Sequence, residues 1–581
     1  MIKNRRFWLG LLLAIPGILS ALEISLKSPR DGATVPLLND KHKAFLDLPR
    51  KERIAFFADA EKRKQLIKAG HWPRPVYFMW KAADAPTGTT YRVLVSEKPD
   101  MSAPVAVRGE SGKAKLYNLM LGRTYYWRVE ATAPGEKPVL SQVYRFVTED
   151  RPPRLLRFPD VPNARDLGGR KTKDGSYVKQ GLVFRTAGMN FNAKSIKAKN
   201  DEELLRAHPE HRELLRLYRD MQKRLETDPG SLPVVPYALG NKWVVFRKDR
   251  ADLSADEMKN LDTLAAIPET LFGAAPTIMT ANKRGRVVIP ENGPGPHTAV
   301  LMQEFDSPSD GIMQIASGGN WYWCVRVNGR LVYSRMRGNG KGATTSNYFY
   351  FVPVRKGKNL IVVVLKAASS GGWMWCCGKR KKQDPVKCVA AAVKSLYSSS
   401  PVGWEKGESR VTPEGRAIFL EQFGVKSDID LRSDGECRGM TGSPLDPSVK
   451  WFHISSSAYA GMQTNRGKEQ FAKVFRVFLD EKNYPIIFHC IAGQDRTGAV
   501  AFILNGLLGV PEEELYLDWE ATGFWNKNAK FNHKNRFDLL VGGFRKLPGK
   551  DLYEQIENYV ISCGFTRGDI EKFRSIMLEK R

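Results

Sequence analysis

The sequence predicts a multi-domain chain in which an α/β domain is interrupted by an all-β insert and preceded by a β-sandwich. Three observations carry this expectation. At 581 residues the chain exceeds one domain, because about 150 residues per domain gives three or four units, and an apolar content of 42% can fill their cores. An apolar stretch, Tyr484-Pro485-Ile486-Ile487-Phe488, passes through a short polar loop into Ala499-Val500-Ala501-Phe502-Ile503-Leu504, which reads as strand, loop and buried helix. Residues 24–150 and about 235–378 instead carry short β-branched and aromatic runs separated by turn residues.

Taken in order, the amino terminus has the pattern of an export signal over residues 1–21. Lys3, Arg5 and Arg6 precede an apolar core at 7–19, and Ser20 and Ala21 offer a small-residue cleavage site. Cleavage near Ala21 is expected, with an uncleaved anchor as the alternative, although the apolar run is short for a spanning helix. A mature chain that is secreted, periplasmic or held at the cell surface follows, with no transmembrane segment after signal cleavage. Within 24–150 the strands are expected at 76–80, 91–95, 124–129 and 143–147, with their aromatics forming the core. A charged, helical excursion at 40–68 interrupts them, and its charges read as a solvated face.

The region 196–399 has two parts. Residues 197–226, with Leu204, Leu205, Leu214, Leu215 and Leu217, read as one charged amphipathic helix. Strands are then expected at 243–246, 298–302, 323–327, 331–333 and 360–365, with Asn328-Gly329 as a hairpin turn. Trp321, Trp323, Trp373 and Trp375 read as core or interface packing, a sugar-stacking platform being the alternative. Lys379-Arg380-Lys381-Lys382 reads as an exposed linker back to the α/β domain.

Seven cysteines are too few for a disulfide framework, and an odd count leaves at least one free thiol. Cys324 with Cys376 or Cys377 could bridge strands of the insert. Cys376 and Cys377 are adjacent, without a paired C-x2-C or H-x3-H partner, so no metal and no cofactor is expected. The formal charge of +29 reads as a solvated basic surface spread over the chain, with attraction to anionic lipid or polyanionic glycan as the sharper alternative. No nucleic-acid-binding signature accompanies it, and no nucleic-acid partner is expected.

The chemistry is concentrated in His489-Cys490-Ile491-Ala492-Gly493-Gln494-Asp495-Arg496-Thr497-Gly498. A loop between strand end and helix start aims backbone N–H groups inward, and the helix dipole favours negative charge there. Such a nest suits a phosphate dianion, with Arg496 able to fork onto two oxygens, and the same field would stabilise a thiolate at Cys490. This run closely resembles the HC-x5-R-T-G loop of the protein tyrosine phosphatase superfamily. Asn163-Ala164-Arg165-Asp166-Leu167-Gly168-Gly169, followed by Gly181-Leu182-Val183-Phe184-Arg185-Thr186-Ala187, resembles the opening N-x-R-D-x-G-G motif and the next strand of its bacterial tyrosine- and lipid-phosphatase branch. Asp430-Leu431-Arg432-Ser433-Asp434-Gly435-Glu436 resembles that branch's DLR-x-x-x-E strand, and 507–514 the helix and turn after its catalytic loop. The likeness covers roughly 155–195 and 400–581. Because such phosphatases usually separate these motifs by a few tens of residues, it implies a phosphatase domain in two parts, 155–195 and 400–581, around an inserted domain. The stretch Gly122-Arg123-Thr124-Tyr125-Tyr126-Trp127-Arg128-Val129 resembles a strand pair of fibronectin type III domains, and the later insert resembles galactose-binding-like jelly rolls of secreted glycosidases.

The resemblance implies a phosphatase in which the Cys490 thiolate attacks phosphorus and forms a phosphocysteine that water hydrolyses. Ile491, Ala492, Gly493, Gln494, Thr497 and Gly498 would form the phosphate loop, with Arg496 stabilising the equatorial oxygens and Thr497 hydrogen-bonding the sulfur. His489 would hold the loop or be merely structural, and Arg165 and Asp166 would support it. Asp495 is the candidate general acid and Asp434 the reserve, since 451–460 holds no carboxylate; a structural role for Asp495 stays open. A phosphorylated protein or small molecule is the expected substrate, phosphotyrosine first. Lipid-active relatives often carry Lys where this chain has Gln494, which weakens a phosphoinositide or inositol-phosphate reading. The rival is a glycan-binding or adhesion protein using the phosphatase domain as scaffold. A third reading, an enzyme acting on phosphorylated sugars or cell-envelope polymers, would combine both features, with a glycan or envelope polymer at the β-sandwich domains.

Overall fold

Alternation governs the strands of the first unit. Val76, Phe78 and Trp80 are buried, whereas Tyr77 and Met79 between them are 55% and 51% exposed. The computed structural model describes residues 22–580 apart from 71, 111, 190–194, 250, 291–296, 321, 337–342, 346, 368–372, 379–383, 405–410, 438 and 526–535. Its compact units are residues up to 43 with 72–157, and 44–71 with 158–581. In the first unit, Glu23–Ser28, Val76–Ala83 and Lys113–Leu116 form an antiparallel sheet. A larger sheet runs Ala33–Val35, Tyr144–Thr148, Thr124–Thr132, Thr90–Ser96, Val105–Gly109. Phe78, Trp127 and Phe146 meet between them, with Phe78 edge-on to Trp127 at 5.0 Å. All four strands expected here are present.

The excursion is helical, as Asp40–Leu46, Arg50–Ala58 and Ala60–Lys68. Its charges are not all solvated, and its larger part groups with the second unit. Arg53 is 1% exposed and donates from Nε to Glu520 Oε2 at 2.6 Å and from Nη1 to the Leu48 carbonyl at 2.6 Å. Phe45 packs edge-on against Phe524.

The expected single helix at 197–226 is two, Asp201–Ala207 and Arg212–Thr227. Pro209 is the reason, because proline cannot donate to the preceding turn and pushes the residue before it out of helical geometry; His208 has φ −138° and ψ 68°. Beyond it lie two sheets. One runs Thr277–Thr280, Lys242–Lys248, His297–Ser307, Gly357–Ala367, Tyr322–Val327, Arg330–Ser334, and the other is built on Gly311–Gly319, flanked by Tyr348–Val354, Val234–Val235 and Met374–Gly378. Asn328 and Gly329 take φ 49° and 75° in the expected hairpin. Trp323, Trp373 and Trp375 are at most 2% exposed, which makes them core and removes them from any sugar platform. Trp321, the linker 379–382 and the export-signal segment lie outside the described residues. Cys324 and Cys376 stand on different sheets and all seven cysteines are free thiols, so the suggested bridge is not formed. Ser195–Ile196 pairs with Gly403–Trp404, so the chain leaves for this region and returns from it side by side.

The α/β part is a five-stranded sheet in the order Arg165–Asp166, Val183–Thr186, Ile486–His489, Ser427–Asp430, Lys450–His453. The last four strands are parallel and in step, with Thr186, His489, Asp430 and His453 at one level. Strands from both sides of the insert therefore build one sheet. No helix among the described residues is long and apolar enough to cross a membrane.

Removing Arg53 would leave the buried Glu520 carboxylate with only the more distant Arg50, 3.6 Å away. Arg53→Ala should destabilise the second unit by about 3–5 kcal/mol, read from the denaturant midpoint. An unchanged midpoint would show that the pair is not buried in solution.

Candidate active site

The residues flagged by sequence meet at the carboxyl end of the central strand, where parallel α/β sheets place ligand sites. Ile486–His489 is fully buried, Cys490 follows it at 2% exposure, and Arg496–Leu507 starts the next helix with residues 497–507 buried. A short loop between a pinned strand and a pinned helix has little freedom. Its backbone orientation is fixed from outside: the Ile491 carbonyl accepts from Gly188 N–H at 2.9 Å, the Ala492 carbonyl from Asn163 Nδ2 at 2.8 Å, and the Gly493 carbonyl from Arg185 Nη2. In a planar trans peptide N–H points opposite C=O, so the N–H groups of 492, 493 and 494 turn away from those partners.

Glycines allow this close approach. Gly493 has φ +64°, and a Cβ there would lie 2.4 Å from the Thr186 carbonyl oxygen; one at Gly188 would lie 2.7 Å from the Cys490 carbonyl, and one at Gly498 2.7 Å from Trp519.

Arg185 belongs to a buried charge cluster. Arg165, Arg170 and Arg185 all address Asp518, Arg165 from Nε at 3.4 Å, Arg170 from Nη2 at 3.0 Å, and Arg185 through a short contact from Nη1. Burial and the neighbouring Arg185 push Arg165 down to about 9. Burial works to raise Asp518, but the three guanidinium groups hold it well below the usual carboxylate range. Arg170 also reaches Glu514 at 3.7 Å, so three cations face two carboxylates behind the loop, a surplus of positive charge. Arg165 also donates to Asn163 and to the Asp518 carbonyl. Asp166 instead ties its own turn, accepting from Gly168 N–H at 2.8 Å and Gly181 N–H at 2.7 Å.

Arg496 is held by Glu436, with Nη1 at 2.6 Å and Nη2 at 2.9 Å from its two oxygens, and Nη1 also donates to the Leu431 carbonyl at 3.3 Å. Burial pushes Glu436 up, but the Arg496 fork and the Ser433 N–H outweigh it and hold the carboxyl at about 2. His489 is fully buried, Nε2 3.1 Å from Asp428 Oδ1 and Nδ1 3.8 Å from Asp430 Oδ1. Burial opposes its charge, yet Asp430 and Asp428 together raise its pKa above the ordinary 6.5. Asp430 is itself held by Arg432 at 2.6 and 2.8 Å. Asp495 lies half-buried at the loop's end and accepts a short hydrogen bond from the Tyr459 hydroxyl. Ile491 is exposed at the rim. Asp434, the reserve acid, has a 99% exposed side chain 3.7 Å from His453. The Thr497 hydroxyl is buried with no hydrogen-bond partner among the described residues, so the expected bond to sulfur is not made.

Glu436, Tyr459, Asp518 and Arg185 acquire roles that sequence reasoning did not assign. Asp518 and Arg185 had a readable signal, each being a charge inside an otherwise apolar run, where burial demands a partner. His208, Glu210 and His211 are a group able to hold a metal ion that neither cysteine pairs nor H-x3-H spacing marks.

Residues 156–221 and 407–579 match the model of the tyrosine phosphatase family. A tyrosine-protein phosphatase of Nostoc commune is 30% identical over 143 residues, 21% of this chain and 49% of that protein. The chain thus spans about half the length of the curated relative it matches. Among solved structures, the core catalytic domain of a PP-IP phosphatase from S. cerevisiae, in complex with citrate, is similar at 17% identity over 21% of this chain and 72% of that one, with a TM-score of 0.17. A β-glucosidase from Kluyveromyces marxianus is similar at 10% identity over 43% and 23%, with a TM-score of 0.17.

Gly493→Ala must displace the loop from Thr186, and should weaken inorganic phosphate binding by about tenfold or more by calorimetry; unchanged affinity would mean that the loop does not hold the anion. The charge on His489 stabilises the fold fully below about pH 6.5, and that contribution fades as pH rises through its higher folded pKa. The stability gap between parent and His489→Gln should therefore be widest in mild acid and narrow as pH rises above about 6.5 in denaturant titrations. A gap that widens would reverse the assignment.

Proposed function

We propose that this chain is a cysteine-dependent phosphatase of phosphomonoesters, with phosphotyrosine the leading substrate. The observation that carries the reading is the set of three loop carbonyls tied outward beneath Cys490, which makes the opposite face of the loop an anion nest beside a nucleophile. Glu436 occupies the Nη1–Nη2 edge of Arg496, which leaves Nε–H and the second Nη2–H to meet two phosphate oxygens.

In the first step the Cys490 thiolate attacks phosphorus in line. The S–P bond forms, the ester P–O bond breaks, and Asp495 gives its proton to the leaving oxygen. Water then attacks the phosphocysteine and loses a proton to Asp495. The S–P bond breaks, the thiolate returns and inorganic phosphate leaves. Loop N–H groups and Arg496 stabilise the equatorial oxygens throughout. Tyr459 orients the Asp495 carboxylate.

The family match and the tyrosine-protein phosphatase relative support a phosphatase, and Gln494 in the loop favours phosphotyrosine over a polyphosphorylated inositol. The export pattern of 1–21 supports work outside the cytoplasm. There the fibronectin type III-like unit and the galactose-binding-like insert would bring the enzyme to phosphorylated proteins or glycan-bearing surfaces.

The full chain should hydrolyse p-nitrophenyl phosphate under reducing conditions, and Cys490→Ser should abolish turnover. A folded parent without activity would reject the reading. Asp495→Asn should lower kcat about 10²-fold or more on alkyl phosphates and less on p-nitrophenyl phosphate, whose leaving group needs no proton. Equal losses on both would remove Asp495 as the acid.

A further inference from the structure

The inserted region carries a cluster that the proposed reaction does not use. His208, Glu210 and His211 sit where Pro209 breaks the helical segment, and their donor atoms lie within 4.8 Å of one another. His208 Nδ1 is 3.6 Å from Glu210 Oε1, and His211 Nε2 is 3.9 Å from the same oxygen. The other edge of the His208 ring is committed, with Nε2 2.9 Å from the Pro401 carbonyl oxygen. A carbonyl only accepts, so Nε2 carries the hydrogen, and in the neutral ring Nδ1 directs a lone pair toward a carboxylate. Two electron-pair donors so placed call for a cation between them. A histidine whose remote N–H is tied to a backbone carbonyl is also the arrangement by which metal sites fix tautomer and ring orientation.

We propose that His208 Nδ1, the Glu210 carboxylate and His211 Nε2 form a binding site for a divalent transition metal of the zinc class. Two imidazoles and a carboxylate match the donor preference of zinc, and three protein donors leave a fourth coordination position. Zinc bonds of about 2.0–2.2 Å put tetrahedral neighbours about 3.3–3.5 Å apart, so the present spacings close onto a metal with small side-chain movements. Glu210, whose side chain is 43% exposed, would make the larger one. The cluster borders a cavity of about 810 Å³, shared with Tyr218, Tyr333 and Ser400, which gives the fourth position an approach.

The location adds a structural consequence. His208 and His211 belong to the chain going out into the insert, whereas Ser400 and Pro401 belong to the chain coming back, and His211 Nε2 meets Ser400 Oγ at 2.7 Å. A metal would take the His211 Nε2 lone pair from Ser400 Oγ and would lock the His208 ring that grips the returning chain through Pro401, beside the Ser195–Ile196 and Gly403–Trp404 pairing.

The test uses the full chain, stripped with a chelator and then titrated with zinc against a chromophoric competitor. One equivalent should bind, and zinc-edge X-ray absorption should show imidazole and oxygen scattering without sulfur. Glu210→Gln should keep the metal-free melting temperature and bind zinc about tenfold more weakly or worse. The His208→Gln, His211→Gln pair should lose that equivalent, while Cys490→Ser should keep it, which separates this site from the phosphatase reading. Absence of tight zinc, an equivalent retained by the double variant, or sulfur scattering would each overturn the proposal; the first would mean that a proton alone bridges His208 and Glu210.

Discussion

The contact on which the site depends is the guanidinium of Arg185, fully buried between the Asp518 carboxylate and the Gly493 carbonyl. Nothing in the strand Val183–Thr186 would favour a charge there, since all four of its residues are buried. The cost of burying it is offset only because Asp518 supplies the countercharge and the loop supplies an acceptor. The same bond that satisfies the arginine turns a loop peptide, so core stability and loop orientation are one constraint. Asn163 and Gly188 repeat the device on the two preceding peptides.

On the other side of the central strand, His489, Asp428, Asp430 and Arg432 form a second buried charge network, and Leu431 and Glu436 from the same segment hold Arg496. The loop is thus braced from two flanks by strands that are neighbours in the sheet but distant in sequence. A large region can be inserted between them because its outgoing and returning chains pair with each other, so the sheet meets the insert as a short loop would meet it.

Much of this was readable in advance. Cys490, Arg496 and the strand–loop–helix around them followed from an apolar run meeting glycine and a C-x5-R spacing, and the strands of both β-rich regions followed from β-branched and aromatic runs between turn residues. The Asn328-Gly329 turn followed from residues that tolerate positive φ. What escaped was decided by tertiary pairing: Arg53 looked like a solvated helix charge because Glu520 lies far along the chain, and Asp518 gave no hint of which three arginines it would collect. The split helix at His208-Pro209 was a local signal underweighted against leucine spacing. The tryptophans were ambiguous because burial and sugar stacking use the same side chains.

The strand order also sets a timetable for synthesis. Val183–Thr186 pairs in parallel with Ile486–His489, and about 300 residues separate them. At roughly 5–20 residues per second, translation leaves the first strand waiting roughly 15–60 s for its partner. During that interval Arg185 has no Asp518 and the edges of the strand are unpaired, while the β-rich insert is already complete and has only local contacts left to make. A nascent chain stalled within the insert would expose the aggregation-prone half of an unfinished sheet.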